Sequence, residues 1–113
     1  MTGDIVQSGR FYDALLGPLG WRRHVDTTRQ VGWGIVRPVF FVLSNGQAMA
    51  GGCEVCFSAN AIPAVRAAWE GGVAAGGRDD GTPGIRPEYG PNYYSAYLRD
   101  PDGHRVEVVV STD

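Results

Sequence analysis

No apolar run in this 113-residue chain approaches the roughly 20 residues that span a membrane as a helix. The first residues, Met1-Thr2-Gly3-Asp4-Ile5-Val6-Gln7, lack the basic and apolar regions of a secretory leader. The expectation is a cytoplasmic protein with no membrane partner. Excess charge is also missing: the formal net charge is −2, which provides no basic surface for nucleic acid. Cysteine is scarce, and the two present, Cys53 and Cys56, form a single C-x-x-C. A redox pair needs a helix N-terminus to lower a thiol pKa, whereas Cys53-Glu54-Val55-Cys56 lies in a strand-like run that puts the two thiols on opposite faces. Zinc would require a second pair. The expected role of both cysteines is to fill small spaces in the core.

Glycine and proline, by contrast, are plentiful, at 17 and 7 residues, and indicate several short strands joined by tight connections. The length suits one domain with a modest core. Residues 4–16 have helical spacing, with Ile5, Phe11, Leu15 and Leu16 as the apolar stripe and Ser8, Arg10 and Asp13 outside it. Asp4 is placed to cap this helix and Gly17-Pro18 to stop it. Strands are expected over 21–25, 30–36 (Val31, Trp33 and Ile35 on one face), 39–43 (buried by composition) and 53–58. A second, Ala-rich helix is predicted over 62–75. Asn60 would cap it, Pro63 would sit in its first turn, and Gly71-Gly72 would weaken it. Residues 47–52 read as a loop and 79–91 as a Pro/Gly-rich link.

The C-terminal stretch reads as a β-hairpin turning on Asp100-Pro101-Asp102-Gly103. In its second strand Val106, Val108 and Val110 share one face, and Arg105, Glu107 and Val109 the other. If Arg99 pairs with His104, Ala96 lies opposite Glu107, and Tyr94 and Leu98 share its face. By the same parity Glu54 points the same way as Glu107, with Val55 and Phe57 turned to the helix.

With this element order, the segments Arg10-Phe11-Tyr12-Asp13-Ala14-Leu15-Leu16-Gly17-Pro18-Leu19-Gly20-Trp21, Ala74-Ala75-Gly76-Gly77-Arg78-Asp79-Asp80-Gly81 and the Tyr93-Tyr94 to Asp100-Pro101-Asp102-Gly103-His104 hairpin make the chain resemble the vicinal oxygen chelate superfamily. That group includes glyoxalase I, bleomycin- and fosfomycin-resistance proteins and extradiol dioxygenases. The resemblance implies an α+β fold in which paired βαβββ modules form a cupped sheet. Residues 1–50 would be a first module missing its first strand, and 51–113 a complete second module, within one domain. An uncovered sheet edge recruits another strand. A homodimer covering that edge is the expected assembly, with a longer natural chain or a smaller module as alternatives.

The family's metal chemistry implies His and Glu ligands in the cup. Carried over position by position, Glu107 matches the last-strand glutamate, and Glu54 stands where many relatives have histidine. No third ligand is placed: His24 falls in a strand of the wrong order and His104 at the rim. Glu54 and Glu107 are therefore an incomplete metal set, and as alternatives an acid/base pair or solvent-facing acids. The expected ligand pocket comprises Trp33, Phe41, Arg86, Tyr89, Tyr94 and Leu98, with residues 81–91 as either a lid or a stiff connector. The leading expectation is a small-molecule-binding protein with no cofactor. The alternative is a lyase, isomerase or dioxygenase using one divalent metal (Zn, Mn, Ni or Fe) on a substrate with vicinal oxygens, and a third is a purely structural module. Whether the chain is an enzyme is left open.

Overall fold

The structure, a computed structural model, describes residues 2–43 and 54–111. The 47–52 loop, Cys53 and the boundary between the two expected modules lie outside the described residues. Helix α1 (Ile5–Leu16) begins as its sequence dictates, with the Asp4 carboxylate accepting a hydrogen bond from the Gln7 amide. It ends in a short 3₁₀ turn carrying Pro18, and Gly20 takes the left-handed conformation that follows, at φ 85°. Strands β1 (Arg22–Asp26), β2 (Gln30–Gly34) and β3 (Phe40–Leu43) form an antiparallel sheet in the order β1-β2-β3.

The second half is β4 (Glu54–Ser58), α2 (Ile62–Ala74), β5 (Arg78–Ile85), a 3₁₀ turn at Pro87–Tyr89, β6 (Tyr93–Arg99) and β7 (Arg105–Ser111). Its sheet runs β4-β7-β6-β5, with β4 and β7 parallel and the other pairs antiparallel. This is a complete βαβββ unit. The first half matches it without the opening strand, and a single bridge occupies that place: the Thr2 amide donates to the Leu43 carbonyl at 2.9 Å. The expected α+β architecture of two such units is therefore observed.

The two units share one core. Phe11, Leu15 and Leu16 of α1, Val65 and Ala68 of α2, and Leu98, Val106 and Val108 of the second sheet are all fully buried. Each large apolar side chain contributes about 1.5–3 kcal/mol when buried. Gly71 and Gly72 are where the helices meet rather than a weakness in α2. A β-carbon at Gly71 would lie 2.5 Å from the Ala14 carbonyl oxygen, and one at Gly72 would lie 2.7 Å from Leu98 Cδ1. Between the sheets, Phe40 packs on Phe57 with ring centroids 5.1 Å apart.

Several local expectations are corrected. β2 stops at Gly34, where a β-carbon would collide with the Arg37 carbonyl in a tight turn, so Ile35 lies outside the strand and is exposed. β3 is not buried on both sides: Val42 is buried while Phe41 and Leu43 are exposed, because one face of its sheet is uncovered. Ser8 is buried rather than outside, bonded to the Thr2 and Asp102 side chains. Ala61, not Asn60, is the N-cap of α2, and it supplies no side-chain bond. Most of the 79–91 link is strand β5, whose register slips at Asp79/Gly81 and Gly81/Gly84 accommodate Pro83 on a sheet edge.

The β6–β7 hairpin carries the main correction. Arg99 pairs with Arg105, not His104, and Tyr97, not Ala96, lies opposite Glu107. The turn holds five residues, because Asp100 closes it onto His104. The Asp100 amide donates to the His104 carbonyl (2.9 Å), and Asp100 Oδ1 accepts from the amides of Asp102 (3.0 Å) and His104 (2.9 Å). Relative to the expected pairing this is a slip of one residue, which turns every side chain of β6 to the other face.

Candidate ligand-binding face

The register defines two surfaces on the second sheet. Tyr94, Ala96 and Leu98 pair with Val110, Val108 and Val106 and face the helices. Tyr93, Ser95, Tyr97 and Arg99 therefore share the open face with Glu107 and Arg105. The parallel register of β4 on β7 sets Glu54 beside Arg105 and Cys56 beside Glu107, so Glu54 and Cys56 lie on this open face too.

Glu107 is the focus of the face. It is 8% exposed, and the Tyr93 hydroxyl donates to its Oε2 at 2.7 Å. The Cys56 thiol and the Tyr97 hydroxyl also point at this carboxylate. Burial, then the charge and hydrogen bonding of Glu107, then the charge of Glu54 push the Cys56 thiol up to about 11. Burial and the same carboxylate raise the Tyr93 and Tyr97 phenols. The nearby Ser95 hydroxyl opposes the Tyr97 shift weakly, although no hydrogen bond of good geometry joins them. These groups stay protonated and donate to a carboxylate, which is ordinary behaviour for donors in a low-dielectric site. Around this centre, Tyr97 lies under the Arg105 guanidinium at 4.1 Å from the ring centroid and beside that of Arg86 at 5.6 Å. Tyr89, largely exposed, packs on Tyr93 at 5.2 Å between centroids.

The residues expected to form a pocket are divided by the fold. Arg86, Tyr89, Glu54 and Glu107 belong to the open face of the second sheet. Phe41 lies on the outer face of the first sheet, over Gly32, where a β-carbon would meet its ring at 2.7 Å. Trp33 is fully buried on the opposite side of that sheet, its indole Nε1 donating to Asp13 at 2.9 Å. Tyr94 and Leu98 are core residues, turned away by the one-residue slip. Tyr93, Tyr97 and Cys56, which sequence reasoning did not assign to the site, take their place. Counting Asp100 through His104 as a five-residue turn would have found the two tyrosines. Cys56 was expected in the core; it is exposed, because β4 shows this side to the uncovered face.

As potential ligand atoms the open face offers two carboxylates and a thiol, those of Glu54, Glu107 and Cys56. Glu54 faces Arg105 at 3.7 Å, Glu107 is engaged by Tyr93, and no described histidine lies on this face. His24 Nε2 is 3.1 Å from the Gly34 carbonyl oxygen. His104 is buried at the turn rather than at a rim. There it joins Asp100 and Asp102, with potential ligand atoms all within 4.8 Å of one another. Those carboxylates already lock the chain together: Asp100 Oδ2 accepts from the Tyr12 hydroxyl (2.7 Å), and Asp102 accepts from the Ser8 hydroxyl (3.1 Å) and the Gly3 amide (3.2 Å).

Two βαβββ units, one short of its first strand and both with an open sheet face, define a vicinal-oxygen-chelate fold. No protein-family model matches the chain, and no curated protein does either. Solved structures do match. A glyoxalase/bleomycin resistance protein from Albidiferax ferrireducens T118 is 32% identical, with a TM-score of 0.79 over 94% of this chain and 88% of that one. A fosfomycin resistance protein from Mesorhizobium loti superposes with a TM-score of 0.68 at 18% identity, over 96% and 84% of the two chains. The bleomycin resistance determinant of transposon Tn5 gives 0.67 at 13%, over 99% and 92%. The last two similarities concern the fold alone. The first establishes that the chain belongs to the glyoxalase/bleomycin-resistance family.

Proposed function

We propose that this chain is a small-molecule-binding protein of the glyoxalase/bleomycin-resistance type, which holds its ligand on the open face of the second sheet without a complete metal set of its own. The observation that carries the reading is the state of Glu107. It is a buried carboxylate tied to the Tyr93 hydroxyl at 2.7 Å, with tyrosines flanking it, on a face that is otherwise open. Such a centre suits hydrogen bonding to an organic ligand against an aromatic wall. The working form is a homodimer. Exposed Phe41 and Leu43 on the first sheet and Ile85 and Tyr89 on the second give a second copy apolar surface to cover. No helix among the described residues is long and apolar enough to cross a membrane, and the proposed location is the cytoplasm.

Glu54 and Glu107 on one sheet face favour one alternative: a lyase, isomerase or dioxygenase whose divalent metal is completed by residues of a second chain. Elemental analysis of the purified protein, with Glu107→Ala alongside, separates the two. The binding-protein reading expects no stoichiometric metal and no thermal shift with Zn²⁺, Mn²⁺, Ni²⁺ or Fe²⁺. About one metal per site, lost in the variant, would replace it with the enzyme reading. A monomeric mass at micromolar concentration would remove the dimer.

A further inference from the structure

A cavity of about 260 Å³ lies where the two edge strands β3 and β4 meet α1 and the β6–β7 turn. It shares no described residue with the open face around Glu107. Its walls are apolar: the rings of Tyr12 and Phe40, 5.0 Å apart between centroids, with Val42 and Val55 beside them. Phe41, 44% exposed, marks its outer end. Asp100 and His104 line its inner end, with 4% and 6% of their surface still accessible. The Asp100 carboxylate there has hydrogen bonds but no arginine opposite it. Its Oδ1 takes the amides of Asp102 and His104, and its Oδ2 takes the Tyr12 hydroxyl. Those fill three of about four lone-pair positions. The chain has no lysine, and the arginines that form ion pairs do so with Asp13, Asp26, Asp80 and Glu54. Among the described residues, no arginine pairs with Asp100 or with Asp102 beside it. A buried carboxylate next to aromatic rings favours a cation, which the charge attracts in a low-dielectric site and the ring faces attract further.

We infer that this cavity is a second binding site, for a small organic cation built on one apolar ring, with its ammonium group towards Asp100 and its ring against Tyr12 and Phe40. The site is separate from the open face and does not depend on what that face binds. Volume sets the size of the ligand: an apolar cavity of about 150 Å³ holds benzene, so 260 Å³ admits a ring with a short charged arm. An ammonium donates to the remaining lone-pair position of Asp100 and displaces no bond of the turn. A neutral ligand of the same shape buries the same ring but gains nothing from the charge. Donor atoms of Asp100, Asp102 and His104 all lie within 4.8 Å of one another. Asp102 does not line the cavity, however, and the walls are hydrocarbon, so an organic cation matches the whole space better than a metal ion does.

The test titrates the full chain with benzylamine, a cation at neutral pH, and with benzyl alcohol, which has the same ring and no charge. Binding is followed by NMR through the imidazole signals of the two histidines, His104 in the cavity and His24 in β1. Benzylamine should shift the His104 signals, leave those of His24 in place, and bind about tenfold or more tightly than the alcohol. Asp100→Asn keeps an oxygen for the two turn amides and should abolish that preference while the alcohol still binds. Val55→Phe, at a half-buried position on the cavity wall, should exclude both ligands, and it keeps the test valid if Asp100→Asn unfolds. Equal binding of benzylamine and benzyl alcohol to the wild type would overturn the cation assignment. No shift of His104 with either ligand, or shifts of the Tyr93 and Tyr97 rings in its place, would overturn the cavity as a site and leave the reading of the open face standing.

Discussion

The Cys56 thiol gives a direct reading of the open face, because its proton is held by the surroundings that define the site. Burial, the Glu107 charge and a hydrogen bond to that carboxylate raise it from 9.0 to about 11. Only the thiolate attacks an alkylating agent. A shift of about two units leaves roughly 100-fold less thiolate at about pH 8 than an ordinary thiol would have. The expected result, in a Cys53→Ser background, is slow alkylation by iodoacetamide despite exposure, with a rate still climbing at about pH 10. Glu107→Gln removes the charge and should lower the midpoint, though not to the ordinary value, because burial comes first among the causes. Intact mass against time across a pH series measures both. A wild-type midpoint at or below about 9, or a midpoint unmoved in Glu107→Gln, would refute the placement of Cys56 against Glu107.

The same shift fixes the sign of a stability effect. Above the unfolded thiol's pKa the unfolded chain releases a proton that the native state retains. Stability therefore falls as pH rises from about 9 towards 11, and the raised Tyr93 phenol adds to the fall at higher pH. Cys56→Ser should flatten the alkaline limb of a melting-temperature profile.

Two further predictions concern the scaffold. Gly71→Ala should destabilise by about 1–3 kcal/mol although alanine favours helix by about 1, since the new methyl meets a backbone carbonyl that cannot rotate away; urea unfolding measures it, and a gain in stability would show that the helices do not touch there. Tyr12→Phe leaves Asp100 Oδ2 without its phenol donor and should cost about 1.5–3 kcal/mol, since the bond is buried and its acceptor charged; a loss below about 0.5 would mean that another donor replaces it.

The elements and their order were legible because local signals agreed with the tertiary arrangement. Asp4 caps α1, Gly17-Pro18 ends it, and the Val106/Val108 alternation marks the core face of β7. Features set by distant parts of the chain were not legible. Gly71-Gly72 looks like a helix weakness until α1 lies across it. Pro83 argues against a strand until that strand proves to be a bulged edge. Ser8 reads as a surface residue until Thr2 and Asp102 reach it. In each case a local preference gives way to a contact that no sequence window contains.

The candidate site shows how small a misreading can change a surface. β7 was oriented correctly from its own alternation, which put Glu107 on the open face, and β4 followed from the same rule. β6 has no such signal: Tyr93-Tyr94-Ser95-Ala96-Tyr97-Leu98 alternates between two tolerable patterns, with an aromatic ring available to either face. Its direction depends on the turn, and the turn depends on the Asp100 side chain, which takes two amides on one oxygen and the Tyr12 hydroxyl on the other. A residue of α1 thus helps decide which tyrosines flank Glu107. With the four-residue turn, Glu107 would face Ala96, Tyr94 and Leu98 in a mostly apolar cup, where an unpaired carboxylate would suit a metal. With the five-residue turn it faces Tyr97 and accepts from Tyr93. The carboxylate is then engaged by protein donors rather than standing alone.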